Sequence, residues 1–489
     1  MKRYNNKLGF LAILCLIGLG SCTKSFEELN YDPNNAHEVN PEYLLSYAQK
    51  NAMDNTWDEW QNGRFGLLYS QQWSQPDYTE ESRYQIRTNV NYNLWAAYYH
   101  DVLNNLEESV KQNEADLISG SPNKSAISKI FKSWAFHVLT DIYGDVPYGE
   151  ALQGEAALNP KYESSQVIYA DLLKTLQEQV NILDESQPSY GSGDNIYGGD
   201  VIKWKKFANS LIVRIALRMV DKDPQAARTA IEAAVSSGVF QGNEDNALYH
   251  YLANAPNNNP INESYKSRTG DFSVSKTLVD YMKEVNDPRL AVYASPAEES
   301  GEYVGYVYGS STVINADQIS LPGTRIRAAE EPGIFMSYPE VAFALAEAAE
   351  RGFSVGGTAE DFYKRGITAS MGYWGVTDGN AINQYIAANP YSSADWKNVI
   401  GVQKWLGMYM QGIQSWLERI RLDIKKPGGA QLFVAPVSGS LDQNVDLVPY
   451  RMTYPVEEQT RNAVNYREAI SKIPGGVDSK GAKPWWLSY

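Results

Sequence analysis

The segment LWAAYYHDVLNNLEESV, residues 94–110, decides the fold class of this sequence. Its apolar and aromatic side chains recur three or four positions apart, at Leu94, Ala97, Tyr98, Val102 and Leu106. Because an α-helix turns once every 3.6 residues, this spacing places them along one face. The segment is therefore predicted to form an amphipathic helix whose apolar face is buried.

A second helix is predicted directly after the first. Pro122 suits the first turn of a helix, and Gly144, followed closely by Pro147, ends the pattern. The apolar stripe between these positions consists of Ile127, Ile130, Trp134 and Val138. The two helices are predicted to form a hairpin.

Two further helix pairs are predicted from the same periodicity. Residues 167–183 and 204–220 form the second pair, with a turn-rich stretch between them at 186–194. Residues 341–350 and 361–371 form the third pair. Antiparallel pairs that repeat in this way stack into solenoids, and tetratricopeptide repeats are the most similar type.

The third pair carries clear end signals. Ser337 and Glu340 have the spacing of a capping box, and Gly352 ends the first helix of this pair. Residues 396–417 are predicted to form one long amphipathic helix. Its large side chains at helical offsets are Trp405, Tyr409 and Trp416.

Long polar stretches separate these helices, at 238–270, 294–333, 378–395 and 427–449. Loops of this length are usually functional. A short piece at 303–308, YVGYVY, has a strand-like pattern. The predicted fold is mainly α, with degenerate tetratricopeptide-like helix pairs as a scaffold, long irregular loops and a few short strands. No Pro/Ser-rich linker divides the chain, which favours one domain over several.

Composition excludes some classes of function. The 489 residues include 43 Lys and Arg against 58 Asp and Glu, which gives a net charge of −15. A nucleic-acid binder needs a basic face to replace counterions, and an anionic membrane surface would repel this chain. The 34 Tyr and 12 Trp carry polar groups on their rings and suit half-wet surfaces that bind sugars or peptides. Ordinary contacts between loops and core use such rings as well.

Residues 1–21 are predicted to be a lipoprotein signal peptide. Three basic residues precede an apolar run at 8–19, which is too short to span a bilayer. The run ends in LGSC, residues 19–22, which resembles the lipobox of bacterial lipoproteins, so that Cys22 would be the lipid-modified first residue of the mature chain, 22–489. Removal of three basic and no acidic residues would leave a net charge of −18, so acyl chains would hold the protein to the membrane. The alternative is a secreted protein without a lipid.

No catalytic or metal-binding motif is recognisable. The four His form no H-E-x-x-H pattern, and no Walker or dinucleotide glycine pattern occurs, so no metal and no cofactor are predicted. Residues 352–356 match G-x-S-x-G, but a helix precedes them where a nucleophile elbow needs a strand. His137 is predicted to be packed within its helix. Residues 32–35, DPNN, are predicted to form a turn stabilised by side chains rather than a calcium loop.

Six stretches along the chain together resemble the SusD/RagB family of nutrient-binding outer-membrane lipoproteins. They are DIYGDVPYGEA (141–151), KWKKFANSL (203–211), NDPRL (286–290), YPEVAFALAEA (338–348), VQKW (402–405) and YPVEEQ (454–459). With the lipobox, the resemblance extends from the N-terminal region to the C-terminus. The segment TKSFEE, residues 23–28, also resembles the surface-export signal of Bacteroidetes lipoproteins.

The resemblance implies a non-catalytic binder, anchored by lipid to the outer membrane and facing the cell exterior. Such proteins capture oligosaccharides or, in some members, peptides, and work with a SusC-like TonB-dependent transporter, over which they close as a lid. The tetratricopeptide side would face the transporter, and the loop-rich side would face the ligand. No cofactor is implied.

Residues 73–92 are the predicted core of the ligand site, because they interleave rings with Arg, Asp and Asn. Rings can stack on sugar faces, while charged and amide groups hydrogen-bond hydroxyls. In the family, the stretch ahead of this helix often contributes to the ligand site. The predicted ligand-binding residues are Trp73, Asp77, Tyr78, Arg83, Tyr84, Arg87 and Tyr92, with Tyr265, Arg268 and Tyr306 from later loops. The alternative for each is packing against the scaffold or a local ion pair.

Three other functions stay open at this point. The protein could bind peptides, or it could be a purely structural partner of a transporter. It could also be a surface glycoside hydrolase, since that chemistry needs two carboxylates at a defined separation and 58 are available.

Overall fold

Helices form most of the regular structure in residues 39–116 and 120–488, which are the residues that this computed structural model describes. The α-helices are α1 (Pro41–Trp57), α2 (Thr88–Ala96), α3 (Asn104–Ala115), α4 (Pro122–Tyr143), α5 (Ser165–Ile182), α6 (Val201–Met219), α7 (Pro224–Ser237), α8 (Pro260–Ser267), α9 (Lys276–Glu284), α10 (Leu290–Tyr293), α11 (Tyr338–Glu350), α12 (Ala359–Tyr373), α13 (Gly379–Ala388), α14 (Trp396–Gly407), α15 (Gly412–Leu422), α16 (Glu458–Arg461) and α17 (Ala463–Lys472). π-Helical turns cover Glu59–Leu67 and Ala97–Leu103.

The strands are few and short, and they pair two by two in antiparallel fashion. They are β1 (Trp73–Ser74) with β5 (Ser273–Val274), β2 (Val146–Pro147) with β3 (Tyr162–Glu163), and β4 (Ala247–Tyr249) with β6 (Gly333–Met336). This architecture confirms the predicted fold class of helices with a few short strands. The signal peptide, Cys22 and the turn at 32–35 lie outside the described residues, so those predictions stay predictions.

The first predicted hairpin is confirmed, and its first helix is longer than predicted. α2, the π-helical turns at Ala97–Leu103 and α3 follow one another without interruption, and α3 packs against α4. The Ser121 hydroxyl accepts the backbone N–H of Asn123 at the start of α4, and Gly144, with a φ of +84°, ends this helix.

The second and third pairs are confirmed as well. α5 packs against α6, and α11 packs against α12. The side chains of Ser164 and Asp200 cap α5 and α6. α4 also packs against α5, and α6 against α7, so the pairs form one continuous array. Gly352 follows α11 with a φ of +78°, which confirms that the G-x-S-x-G match is a helix end.

The predicted capping box at the start of α11 is wrong. The Ser337 side chain caps no backbone N–H, and its hydroxyl instead accepts a hydrogen bond from Gln411 Nε2 at 3.2 Å. Glu340 forms a bidentate ion pair with Arg214 on α6, at 2.6 and 2.7 Å. Because the pair is buried, the guanidinium binds this carboxylate more strongly than a backbone N–H would.

The predicted single helix at 396–417 is two helices, α14 and α15. Between them, Met410 has a φ of +70°, and its backbone C=O and N–H bind the side chains of Asn62 and Gln72. At Gly412 the backbone passes so close to Gly66 that a Cβ would lie 2.6 Å from the Gly66 carbonyl carbon. These contacts join distant parts of the chain, so helical periodicity does not reveal them.

Two of the predicted loops contain helices. α8 lies within 238–270 and α13 lies within 378–395. Only Ile382 and Tyr385 of α13 are buried, so its apolar stripe is too thin to stand out in the sequence. Residues 303–308, all of them described, form no strand, and Tyr306 makes a single bridge to Ser275.

A buried ion cluster ties four helices together. Glu418 on α15 binds Arg218 on α6 at 2.6 Å, Lys404 on α14 at 2.8 Å and Arg421 at 2.7 Å, and Arg421 also pairs with Glu347 on α11. Although burial opposes ionisation, the charges of Arg421, Lys404 and Arg218 hold the pKa of Glu418 well below its usual range. We call these five residues the Glu418 cluster.

His137 lies on α4 and is fully buried, with Nε2 3.3 Å from Asp141. Burial lowers the pKa of His137 to about 4, so the ring is neutral at pH 7. This position confirms the prediction of a packed helix residue.

The helices and strands belong to one compact unit, Pro41–Tyr489. The predicted domain begins earlier, at residue 22, and stays a prediction. No helix in the described part of the chain is both long and apolar enough to cross a membrane.

Candidate functional site

Two exposed aromatic rings mark the candidate site. Trp60 lies in the π-helical turns that follow α1, and its side chain is 39% exposed. Tyr78 lies in the loop after β1 and is 48% exposed. Large aromatic residues with this exposure can contact a ligand, and their position beside a shared arginine makes this pair the candidate site.

Arg268 joins the two rings. Its guanidinium carbon lies 5.7 Å from the Trp60 ring centre and 6.0 Å from the Tyr78 ring centre. The two rings are therefore no more than about 12 Å apart. Arg268 follows α8 and donates one hydrogen bond, at 3.2 Å, to Asp271. We call Trp60, Tyr78 and Arg268 the aromatic surface.

A buried carboxylate holds two more arginines against the rings. Glu81 pairs with Arg64 at 3.1 Å and with Arg87 at 2.9 Å. The Arg64 guanidinium lies 4.5 Å from the Trp60 ring centre, and that of Arg87 lies 5.4 Å from the Tyr78 ring centre. Because cation–π contacts orient a ring, Arg64 and Arg87, both held by Glu81, fix the direction in which the rings of Trp60 and Tyr78 face.

The backbone at Tyr78 contributes to its orientation. Tyr78 has a φ of +51°, a left-handed conformation that side chains other than Asn, Asp and Gly rarely adopt. The Asp77 carboxylate accepts the Tyr78 N–H at 2.9 Å and stabilises this turn. Strain of this kind is common at binding sites, where it holds a side chain outward.

Glu59 brings a protonated carboxyl group next to the aromatic surface. Burial, together with the negative charges of Asp271 and Asp58, raises the pKa of Glu59 to about 8, against the opposing effect of Arg64. At neutral pH this group is therefore mostly uncharged and can donate a hydrogen bond.

Three predicted ligand residues, Trp73, Tyr84 and Tyr306, are buried and make hydrogen bonds within the protein. Trp73 donates from Nε1 to the Tyr409 hydroxyl at 3.1 Å, and the Tyr84 hydroxyl donates to the Leu447 carbonyl at 2.6 Å. Tyr306 donates to the Thr312 carbonyl. The rings of Trp73 and Tyr84 are fully buried, and that of Tyr306 nearly so. Their hydroxyl and indole groups hydrogen-bond to other parts of the protein.

Three others lie at the surface but contact other groups. Arg83 donates to the carbonyls of Ser438 and Gly439 and so fixes the loop that contains them. Tyr92 lies against Arg461, and Tyr265 lies under Arg327. The structure brings together the remaining four predicted residues, Asp77, Tyr78, Arg87 and Arg268.

Trp60 and Arg64 are not among the predicted ligand residues. Their spacing of four places both on one side of a helical turn, which could have been read from the sequence. Among the described residues, no group of three or more His, Cys, Asp or Glu could hold a metal ion.

A separate cavity of about 610 Å³ contains none of the predicted ligand residues. Its walls include Tyr281, Tyr363, Gln403 and the Pro427–Gly428–Gly429 turn. Its volume lies in the range of small-molecule sites, so it is the alternative location for a ligand.

Comparisons with known proteins identify the family. The model of the SusD-like family described as "Starch-binding associating with outer membrane" matches residues 33–455. No curated protein sequence matches the chain. A chitin-binding protein of known structure has a TM-score of 0.82 at 30% identity, with 92% of this chain and 100% of that chain covered.

Two further solved structures share the fold. A SusD homolog from Bacteroides uniformis ATCC 8492 has a TM-score of 0.78 at 26% identity, covering 91% of this chain and 100% of its own. A chitin-binding SusD homolog from Flavobacterium johnsoniae has a TM-score of 0.80 at 23% identity, covering 91% and 98%. Together with the six sequence stretches and the helix pairs, these matches show that the chain belongs to the SusD-like family.

Proposed function

We propose that this protein is a cell-surface lipoprotein that captures oligosaccharides for import through a SusC-like TonB-dependent transporter. The observation that carries the proposal is the aromatic surface, in which two exposed rings are joined by one arginine. The protein acts as a binder, and the transporter and separate enzymes supply transport and cleavage.

The aromatic surface has the chemistry that a sugar needs. The flat faces of Trp60 and Tyr78 can stack on the C–H faces of pyranose rings, and the Arg268 guanidinium can donate to hydroxyl groups. The Arg268 side chain is 45% exposed and has one carboxylate partner, so a sugar can displace it from a ring face without leaving a buried charge. The rings are close enough for a short oligosaccharide to contact both.

Chitin oligosaccharides are the first ligands to test. The relative that is 30% identical over 92% of this chain is a chitin-binding protein, and the family description names starch, which makes malto-oligosaccharides the second choice. Peptides are the third, because some members of the resembled family bind them.

The proposed lipid anchor and the proposed transporter partner are supported by other observations. The family is described as associating with the outer membrane, and the LGSC stretch at residues 19–22 resembles a lipobox. We expect Cys22 to carry the lipid and the protein to face the cell exterior, where it closes over the transporter. Loss of membrane attachment in Cys22→Ala, measured by fractionation, tests the anchor. Co-purification of a TonB-dependent barrel with the wild-type protein tests the partner.

A surface glycoside hydrolase is the second candidate, because Glu59 is a mostly protonated acid near Asp271. Glycoside hydrolysis uses one protonated and one ionised carboxyl group. Release of shorter sugars that stops in Glu59→Gln would establish the hydrolase. Intact oligosaccharide after prolonged incubation would reject it and leave binding in place.

Calorimetric titration tests the proposed function. Wild-type protein is titrated with chito-oligosaccharides, malto-oligosaccharides and peptides, and the same series is repeated with Tyr78→Ala. We expect binding to one class of sugar that is strongly weakened in the variant. Tyr43→Ala is the matched control, because Tyr43 is also an exposed tyrosine, at 69%, but lies on α1. No binding to any sugar or peptide, or equal loss in both variants, would contradict the proposal.

A further inference from the structure

The cavity of about 610 Å³ beside α9, α12 and α14 combines a polar segment with apolar walls. The polar segment is 389–395, which connects α13 to α14 and contributes Asn389, Ser392 and Asp395 to the lining. Most of the remaining wall is aromatic or aliphatic and includes Tyr281, Tyr363, Val399 and Val402. A ligand that fills this cavity therefore needs both an apolar skeleton and a polar group.

Asp395 gives this cavity a negative charge. It is the one charged residue among the described residues that line the cavity, none of which is Lys, Arg or His. Its carboxylate accepts hydrogen bonds from the Gly428 N–H at 2.7 Å and from Asn398 Nδ2 at 2.6 Å, and both donors are neutral. Because Gly428 lines the cavity as well, the carboxylate lies at the cavity wall.

No basic side chain in the described part of the chain forms an ion pair with Asp395. The basic residues of neighbouring segments that bind other carboxylates are Arg421 with Glu347, Lys425 with Asp423, Lys426 with Glu284 and Arg289 with Asp287. Lys397, two residues after Asp395, lies against the Trp396 ring, with Nζ 5.7 Å from the ring centre. The Asp395 carboxylate is therefore available to a cation from outside the protein.

The same lining contains oxygen atoms that can accept hydrogen bonds. The hydroxyl groups of Tyr281 and Ser392 and the side-chain oxygen of Asn389 accept no hydrogen bond within the described residues. The Asn389 amide donates to the Tyr385 carbonyl at 2.9 Å, so its oxygen is the end that is left over. A primary ammonium group donates three hydrogen bonds and accepts none, so it matches acceptors of this kind beside a carboxylate.

We infer that this cavity binds a small organic cation, in which a primary ammonium group is attached to an apolar carbon skeleton. The ammonium group would pair with Asp395, and the skeleton would contact Tyr281 and Val402. A neutral ligand of the same shape would gain nothing from the carboxylate charge, and an anionic ligand would be repelled. The aromatic surface contributes no residue to this cavity, so binding here does not depend on the proposed function.

A matched pair of small molecules tests the requirement for charge. The compounds 2-phenylethylamine and 2-phenylethanol share a skeleton, but only the amine is charged at neutral pH. Each is titrated into the mature protein by calorimetry at constant ionic strength. We expect the amine to bind about fivefold or more tightly than the alcohol, because only the amine forms an ion pair with Asp395. Equal affinities, or no binding of the amine, would overturn the inference.

Asp395→Asn tests the role of the carboxylate, because the amide keeps the shape and an acceptor for the Gly428 N–H but loses the charge. The Kd for 2-phenylethylamine should rise about fivefold or more, and binding of 2-phenylethanol should not change. Asp423→Asn is the control, because Asp423 is an exposed acid on a nearby segment that does not line this cavity. Equal losses in the two variants would show a general charge effect and contradict the site.

Two adjacent alanines at the end of α13 test the location. Ala387 and Ala388 are both exposed, but only Ala388 lines the cavity. Ala388→Trp should fill part of the cavity and abolish amine binding, whereas Ala387→Trp should bind as the wild type does. Both positions are exposed, so both variants are expected to fold, and this test stands even if Asp395→Asn does not fold. Amine binding of wild-type strength in Ala388→Trp would overturn the inference.

Discussion

The aromatic surface and the Glu418 cluster are built from similar residue types, arginines beside carboxylates and rings, but they differ in exposure. In the Glu418 cluster every charge is buried and has at least one partner of opposite charge. At the aromatic surface, Arg268 is 45% exposed and has a single hydrogen bond to Asp271. The same guanidinium chemistry therefore fixes the scaffold in one place and leaves donors for a ligand in the other.

This difference separates stability from binding. Breaking a buried pair leaves an uncompensated charge and costs several kcal/mol, whereas an exposed pair contributes little. Changes in the Glu418 cluster should therefore lower stability with no effect on the affinity of the molecules that stay folded. Changes at the aromatic surface should lower the affinity for ligand with little effect on stability.

The largest effect is expected for Glu418→Gln. The substitution removes the carboxylate partner of Lys404 and one of the two carboxylate partners of Arg218 and of Arg421, so the free energy of unfolding should fall by about 3–5 kcal/mol. Denaturant unfolding measures it. Glu360→Gln is the control, because Glu360 forms an exposed pair with Lys364 and its loss should cost less than about 0.5 kcal/mol. Equal effects of the two substitutions would contradict the distinction.

The next effect concerns pH and Glu59. Because the pKa of Glu59 is raised to about 8 in the folded state, the folded protein holds a proton that the unfolded chain releases above its ordinary pKa of 4.5. The stabilisation that protonated Glu59 contributes is therefore fully present below about pH 4.5, and it is lost as the pH rises towards 8. Between pH 5 and pH 9, wild-type protein should lose about 4 kcal/mol more than Glu59→Gln, which imitates the protonated acid.

Denaturant unfolding at several pH values measures this slope. Parallel pH profiles for wild type and Glu59→Gln would show that Glu59 ionises normally. The variant should also keep its affinity for sugar at low pH, where the wild-type group is protonated as well.

Trp60→Ala should weaken oligosaccharide binding by about tenfold or more, because an aromatic anchor at the centre of a site carries much of the binding energy. Stability should change by less than about 1 kcal/mol, since Trp60 is 39% exposed. Calorimetry and denaturant unfolding on the same preparation measure both. A loss of stability with unchanged affinity would show that Trp60 belongs to the scaffold and not to the binding site.

The smallest effect is expected for Arg268→Gln. The amide keeps a hydrogen-bond donor but loses the charge, so the Kd should rise about three- to fivefold while Tm stays within about 1 °C. Arg228→Gln is the control, since Arg228 is also an exposed arginine beside an aromatic ring, Phe353, but lies on α7. Equal changes in Kd for both variants would point to a general charge effect.

The parts of the fold that could be predicted are those with local signals. The stripe at 94–110 and the helix end at Gly144 depend on residues that are close in sequence, so periodicity and turn chemistry are sufficient. The break at Met410 could not be predicted, because Asn62 and Gln72 cause it from more than 300 residues away. Glu340 likewise binds Arg214, 126 residues away, and does not form the predicted capping box.

The residues of the proposed site were also selected only in part from the sequence, for a similar reason. Loop composition was enough to select Tyr78, Arg87 and Arg268, which lie together. It could not distinguish Trp73 from Trp60, because both follow polar residues in the sequence. Trp73 is buried because its indole packs against Phe272 and binds Tyr409, and neither contact is visible in a single sequence.

The most direct test of the account is a crystal structure of the protein with a bound chito-oligosaccharide, or with whichever sugar the titrations select. We predict sugar density against the rings of Trp60 and Tyr78, with Arg268 donating to a hydroxyl group. Sugar bound instead in the cavity between Tyr281 and Tyr363, with the aromatic surface free, would contradict the account.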